Sequence, residues 1–310
     1  MQLPDQIRPI IEARAGAMPL ERLRRASKAL SDHYRDRGGL SLPPNERVAA
    51  YLATRFPATY AAATAVLVEV RARIGVEVSS VLDLGAGMGA ATIAAQEIFP
   101  SLRQLTLLEA DPASIEIGRE LLPGAIWLRA DLRRQRRFEP HGLVIASYTL
   151  GELEQADALA AADAAWHAAQ NAVVLIEPGA PRTFSLVLAI RSRLIERGAH
   201  MVAPCPGAGP CPLAGRDFCH FAQRVERSAL HRRAKDAELN YEDEKFSYVA
   251  FSRTPVEPAP GRVIRRPEHH SGLIQLEVCR GEAIAMERVT RRDRDRFRAA
   301  RKASWGDEWQ

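Results

Sequence analysis

Two sets of residues in this 310-residue chain have types and spacings that could do chemistry. The first is the run Val81–Gly89, where Asp83 stands two positions before Gly85, and Ala86, Gly87 and Gly89 leave a loop with little side-chain bulk. Glycines let a backbone pass close to a ligand, and the free N–H groups of a following helix point at the same place. A carboxylate just ahead of them can hold an ammonium. The second set is the four cysteines, Cys205, Cys211, Cys219 and Cys279. Five residues separate the first pair and seven the next, so three thiols share a loop rich in proline and glycine while the fourth is remote. In a reducing compartment stable disulfides are disfavoured, which leaves a metal site competing with plain buried thiols.

The stretch Pro204–Gly215 has almost no large apolar side chains with which to form a core, so something else must order it. Four thiolates could hold tetrahedral zinc or an iron–sulfur cluster, and the Cys-Pro steps resemble cluster ligands more than the short Cys-x-x-Cys knuckles of zinc sites. His220 could replace one cysteine around zinc; a hydrogen-bonded loop histidine is its plainer reading.

The elements that must position these groups follow from the apolar pattern. Ser80–Leu84 is a short aliphatic run that ends in the glycines and passes into a helical pattern over Ala90–Phe99, so the motif reads as strand, tight turn, helix. A second strand, Leu105–Asp111, brings Glu109 to its end, where a carboxylate can accept from both ribose hydroxyls. A third, Ala125–Asp131, ends in Asp131, at the place where adenine is usually gripped. Further runs at Leu143–Tyr148, ending in Ser147 and Tyr148, and at Val173–Gly179 alternate with helical stretches such as Ala156–Ala169. Repeated βα units imply a parallel sheet with its ligand at the carboxyl ends of the strands. The acid at Asp83 suits S-adenosylmethionine (SAM) better than a nicotinamide dinucleotide, whose pattern usually has an apolar residue there, and the run resembles the first motif of class I methyltransferases.

The predicted fold is therefore α/β: a class I SAM-dependent methyltransferase (Rossmann-like) fold with an N-terminal helical region and a cysteine-rich metal-binding insertion. Residues 1–77 read as helices, with Pro43, Pro44 and Pro57 marking breaks and a packing or cap role as the expectation. The SAM-binding core is expected over 78–199, the cysteine-rich insertion over 200–245, and strands completing the sheet and the cluster site, with a basic tail, over 246–310.

A net charge of +5 and a pI near 9.2 suggest a polyanionic partner. Between Arg288 and Lys302 eight basic residues (Arg288, Arg291, Arg292, Arg294, Arg296, Arg298, Arg301 and Lys302) face two acids, Asp293 and Asp295, and read either as a solvated helix face or as an RNA-contacting tail. No apolar run is long enough to span a bilayer and Met1–Gln6 lacks the features of a signal peptide, so a cytoplasmic location without membrane contact is expected.

Taken together, Tyr51–Ala62, the glycine motif, Ser147–Leu153, Ile176–Gly179, Cys205–Phe221 and Ala300–Asp307 resemble the small-ribosomal-subunit methyltransferase-like family of the Rsm-twenty-two type, here as a bacterial-type member. The resemblance runs from about Asn45 to the C-terminus, and the cysteine loop is its most specific part. It implies a SAM-type fold, a role in ribosome biogenesis through contact with small-subunit ribosomal RNA, no DNA partner, and a [4Fe-4S] cluster on Cys205, Cys211, Cys219 and Cys279. Turnover stays open. Enzymes that methylate exocyclic base nitrogens commonly carry an Asn/Asp-Pro-Pro-aromatic motif after the fourth strand, and here that place reads Ser147-Tyr148-Thr149-Leu150, with Tyr148 the candidate for stacking on a base. An RNA methyltransferase and a non-catalytic rRNA-binding assembly factor that keeps SAM are the two readings.

Overall fold

The computed structural model describes residues 1–36 and 41–310. Four helices lead the chain: α1 (Arg8–Gly16), α2 (Leu20–Asp36), α3 (Pro44–Ala50) and α4 (Phe56–Ile74). Pro57 does not break the path as its type suggested. It occupies the first turn of α4, where a missing N–H costs no hydrogen bond, and the five residues before it, Tyr51–Arg55, form a π-turn in which the Phe56 N–H reaches back to the Tyr51 carbonyl. The helical path therefore runs unbroken from Pro44 to Ile74.

The sheet begins with β1 (Ser80–Leu84), α5 (Ala90–Ile98), β2 (Gln104–Glu109), α6 (Pro112–Leu121), β3 (Ile126–Arg129), β4 (His141–Ser147), α7 (Gln155–Ala168) and β5 (Ala169–Pro178). It continues through α8 (Pro181–Glu196), β6 (His200–Ala203), β7 (Phe221–Glu226), α9 (Ala229–Lys235) and β8 (Tyr241–Ser252). Strands β1 to β5 are parallel and lie in the order β3-β2-β1-β4-β5, followed by antiparallel β8 and then β6. The strands read as continuous apolar runs because both faces are covered. Val81, Leu143, Ile145 and Val174 pack towards α4 and α5, while their neighbours Leu82, Val144 and Val173 pack towards α7 and α8.

β8 pairs with β5 from Ala172↔Ser252 to Pro178↔Phe246. Its other edge is shared: β6 takes the end (Met201↔Phe251) and β7 the beginning (Phe221↔Phe246 to Glu226↔Tyr241). Strands β6 and β7 thus form one sheet edge, from which residues 204–220 bulge out as the cysteine loop.

The C-terminal segment was expected to complete this sheet, and β8 does so. The remainder builds a second, antiparallel sheet from β9 (Arg262–Val263), β10 (Glu268–His270), β11 (Leu273–Cys279) and β12 (Ile284–Thr290), followed by α10 (Arg294–Ala300). Alternation along β11 explains why it stands apart: Ile274, Leu276 and Val278 bury on one face against Val263, Val289 and Trp309, a separate small core. Among the described residues no helix is long and apolar enough to cross a membrane.

Candidate functional site

The winding of the main sheet reverses between β1 and β4, and a cavity of about 550 Å³ opens there at the carboxyl ends of the strands. It brings together Asp83, Gly85, Ala86, Gly87, Glu109, Asp131, Ser147 and Tyr148; Gly89 lies behind the wall, starting α5 with φ +88°. Gly85 has φ +67°, and a side-chain carbon there would collide with Thr149, whose hydroxyl donates to the Gly85 carbonyl at 2.9 Å. The loop is held where a larger residue has no room.

Asp83 is 1% exposed. Its Oδ2 accepts from the Thr92 hydroxyl at 2.7 Å, its Oδ1 has no partner, and burial pushes its carboxyl up to about 7 against the opposing pull of Thr92. The Ser147 hydroxyl is likewise buried without a partner. Glu109 accepts from the Gly87 N–H through Oε2 and from the Ala110 and Asp111 N–H groups through Oε1, each at 2.8 Å, and burial outweighs those bonds to raise its carboxyl. With about four acceptor positions on a carboxylate, three are used and one is left for a ligand. Asp131 lies at the mouth, bonded to Arg133, which lowers it to about 2.

Several lining residues carry no recognisable spacing in the sequence. Arg47 of α3 makes two 2.9 Å bonds to Asp111; burial works against that carboxylate, but the bonds from Arg47 and Ser114 win and hold it near 2. The π-turn aims Arg55 into a stack, its guanidinium 5.4 Å from the Tyr34 ring centre and 5.6 Å from that of Tyr148, and pairs it with Glu244 of β8 at 3.0 Å. Tyr148 is one of two non-glycine residues among those described with a left-handed backbone, φ +57°, and its hydroxyl donates to Glu244 at 2.9 Å. Burial and the Glu244 charge raise the Tyr148 phenol. Beneath it, buried Glu177 accepts the Leu150 N–H at 2.8 Å and is pushed up to about 8 by its burial. The N-terminal helices thus furnish part of the pocket wall as well as packing. Of these residues, Tyr51 to Arg55 and Glu177 lie inside runs already singled out by the family resemblance; Glu244 gave no signal.

The four cysteines, drawn from the loop and from the end of β11, line one small cavity of about 40 Å³ with Phe184, Leu213 and Ile264 around them. Among the described residues no group of three or more His, Cys, Asp and Glu side chains has the spacing of metal ligands. The loop's want of apolar residues is made good from outside it, since Phe184 of α8 and Ile264, directly after β9, clasp Leu213. Burial raises the Cys205, Cys219 and Cys279 thiols, Cys279 to about 11, and their neighbouring thiols add to the effect. His220 stands apart, stacked on Phe218 at 4.5 Å and edge-on to Trp305 at 4.6 Å. Burial first, then Arg265, lowers His220 to about 4.

The family model described as "Mitochondrial small ribosomal subunit Rsm22" matches residues 45–310. The chain belongs to the Rsm22 family. Curated relatives include human "Ribosome assembly protein METTL17, mitochondrial", 28% identical over 83% of this chain and 61% of the relative. Another is "Rsm22-cox11 tandem protein 2, mitochondrial" of Schizosaccharomyces pombe, 24% identical over 84% of this chain and 43% of that protein. The chain thus spans about half the length of the curated relatives it matches. Similar solved structures include the plantazolicin methyltransferase BpumL in complex with SAH, with 11% identity, a TM-score of 0.48, and coverage of 76% of this chain and 98% of that one. The magnesium protoporphyrin IX methyltransferase ChlM from Synechocystis with bound SAM has 10% identity and a TM-score of 0.41, over 74% of this chain and 97% of that one.

Proposed function

We propose that this Rsm22-family chain binds SAM in the 550 Å³ pocket, acts on small-subunit ribosomal RNA during subunit assembly, and carries a [4Fe-4S] cluster on Cys205, Cys211, Cys219 and Cys279. The observation that carries the SAM reading is the pair of buried polar atoms without a protein partner, Asp83 Oδ1 and Ser147 Oγ, lining one pocket at the ends of β1 and β4. Buried polar atoms are almost always satisfied, so this pair waits for a ligand donor. In this reading Asp83 holds the ligand's ammonium, Glu109 offers its remaining acceptor position to the ribose, and Asp131 stands at the adenine end. The glycine loop lets the backbone approach.

Bound SAM supplies a methyl group on a sulfonium. The chain's own residues contribute alignment more than proton transfer, because the Tyr148 hydroxyl is engaged by Glu244 and its phenol is raised beyond use as a base. That engagement favours a second reading, an assembly factor that keeps SAM as a ligand without turnover. Support for RNA comes from the family and from the eight basic residues between Arg288 and Lys302, all exposed on β12, α10 and their flanks. Among the described residues, only Arg296 and Arg298 of these eight pair with a carboxylate. The four thiols line one cavity, and it is their number and residue type, not their spacing, that supports a tetrathiolate centre, which would tie the loop to β11.

Titration calorimetry with SAM is expected to show binding that Asp83→Ala abolishes; full binding by that variant overturns the pocket assignment. Anaerobically purified protein is expected to be brown with about four irons per chain, and a colourless protein with one zinc replaces the cluster reading. Mass-spectrometric mapping of small-subunit rRNA made with and without the protein separates the two readings of turnover. A lost modification marks an enzyme, and an assembly defect without one marks the binding factor.

A further inference from the structure

Two arginines border the cysteine cavity, and they are compensated differently. Arg262, 2% exposed, pairs with Glu69 at 2.5 Å and donates to the Pro204 carbonyl at 3.0 Å. Arg191 of α8 is 5% exposed and has no carboxylate within ion-pair distance among the described residues. Its Nη2 donates to the Gly207 carbonyl at 2.9 Å and to the Gly209 carbonyl at 2.7 Å, and its Nε is buried with no partner. Both carbonyls belong to the loop between Cys205 and Cys211. A guanidinium cannot shed its proton, and a buried charge is tolerated when it is paired. Neutral thiols would not pair it. The surroundings of Arg191 therefore call for an anion in the cavity that the cysteines line.

We propose that Arg191 is the counter-charge of a metal–thiolate centre on the four cysteines, and at the same time the clamp that holds the Cys205–Cys211 loop in its ligating shape. This rests on the metal reading above and adds a residue to it. Four thiolates around a [4Fe-4S] core or around zinc leave a net negative charge, which the guanidinium offsets in a cavity lined by Phe184, Leu213 and Ile264. Two roles follow from two features of one side chain: the charge favours the more reduced state of the centre, and the fork to two glycine carbonyls slows the loop's opening.

The test uses the full chain, purified anaerobically as wild type, Arg191→Met and Arg191→Lys. Metal and sulfide are counted, the potential is measured by a dye-mediated titration followed by electron paramagnetic resonance, and loss of metal to a chelator is timed. For an iron–sulfur centre, Arg191→Met is expected to make reduction at least tenfold less favourable, a fall of about 59 mV for one electron. Arg191→Lys, which keeps the charge and loses the fork, is expected to hold the potential and to release metal several-fold faster. For a zinc centre, Arg191→Met is expected to release metal at least tenfold faster than wild type. Loaded variants with wild-type potential and release rates overturn the role of Arg191 while leaving the metal reading intact. Wild-type protein that holds no metal overturns both, and Arg191→Lys folding as judged by circular dichroism excludes a mere collapse of α8.

Discussion

The two cavities differ in almost every physical respect. One is about 550 Å³ in volume, lined by carboxylates, hydroxyls and glycine backbone, and built by residues at the ends of adjacent strands with part of its wall from the N-terminal helices. The other is about 40 Å³, lined almost wholly by apolar atoms and thiols, and built from α8, the loop and the second sheet. A roomy polar pocket can exist before its ligand arrives, so its ligand adds affinity without deciding the fold. A small apolar pocket is different. Whatever sits among its thiols also joins the segments that supply them, so occupancy there is a matter of stability.

The sharpest way to break that contrast is to remove the thiols. Cys219→Ala is expected to lower the melting midpoint by on the order of 10 °C in scanning calorimetry of metal-loaded protein, since a lost metal link is worth several kcal/mol. An unchanged midpoint would make the cavity an ordinary apolar core. Gly85→Ala addresses the other side. The left-handed backbone at Gly85 and the clash with Thr149 are expected to weaken SAM about a hundredfold by calorimetry, with a melting shift of only a few degrees. A large melting shift would show that the pocket is not an independent module.

The acidity of Asp83 refines the comparison. Its carboxyl, raised to about 7 by burial, must be ionised to hold an ammonium, so SAM affinity is lost as pH falls through that value. The dissociation constant is expected to rise roughly tenfold from about pH 8 to about pH 6, as the ionised fraction falls. A flat profile would remove Asp83 from the ammonium site. The smallest effect is expected from Glu177→Gln, which keeps an acceptor for the Leu150 N–H. Glu177 is raised to about 8, so the folded chain keeps a proton that the unfolded chain gives up above its ordinary carboxylate range, and wild-type stability declines as pH rises through that window. Urea denaturation is expected to show the variant gaining on wild type between about pH 5 and pH 8, with SAM affinity changed by less than about threefold. A constant difference across that range would mean that Glu177 titrates normally.

The parts of this arrangement that were legible are those whose residues are neighbours in the chain. Asp83 stands near the end of β1, just ahead of the turn that holds Gly85 and Gly87, and Glu109 ends the next strand, so the apolar period placed them together. The cysteines were visible as residue types, and their meeting became visible only once α8 and β11 closed around them. Glu244 and Arg191 were silent because an arginine or a glutamate in sequence looks like surface, and Arg55 was only one residue of a longer run; burial beside Tyr148 or beside the thiols is what gives each its part. Pro57 misled for a related reason, since proline breaks a helix interior but suits a first turn, and the π-turn ahead of it supplied a new first turn.

The bulge of residues 204–220 from the β6–β7 edge also sets an order of events during synthesis. Cys205, Cys211 and Cys219 leave the ribosome while the strand they interrupt has no second sheet beside it, and Cys279 emerges only at the end of β11. The four thiols cannot meet until that last residue of β11 has been made. Until then the loop lacks the last of its four thiols, so its closure reports that the chain has been made at least as far as the second sheet.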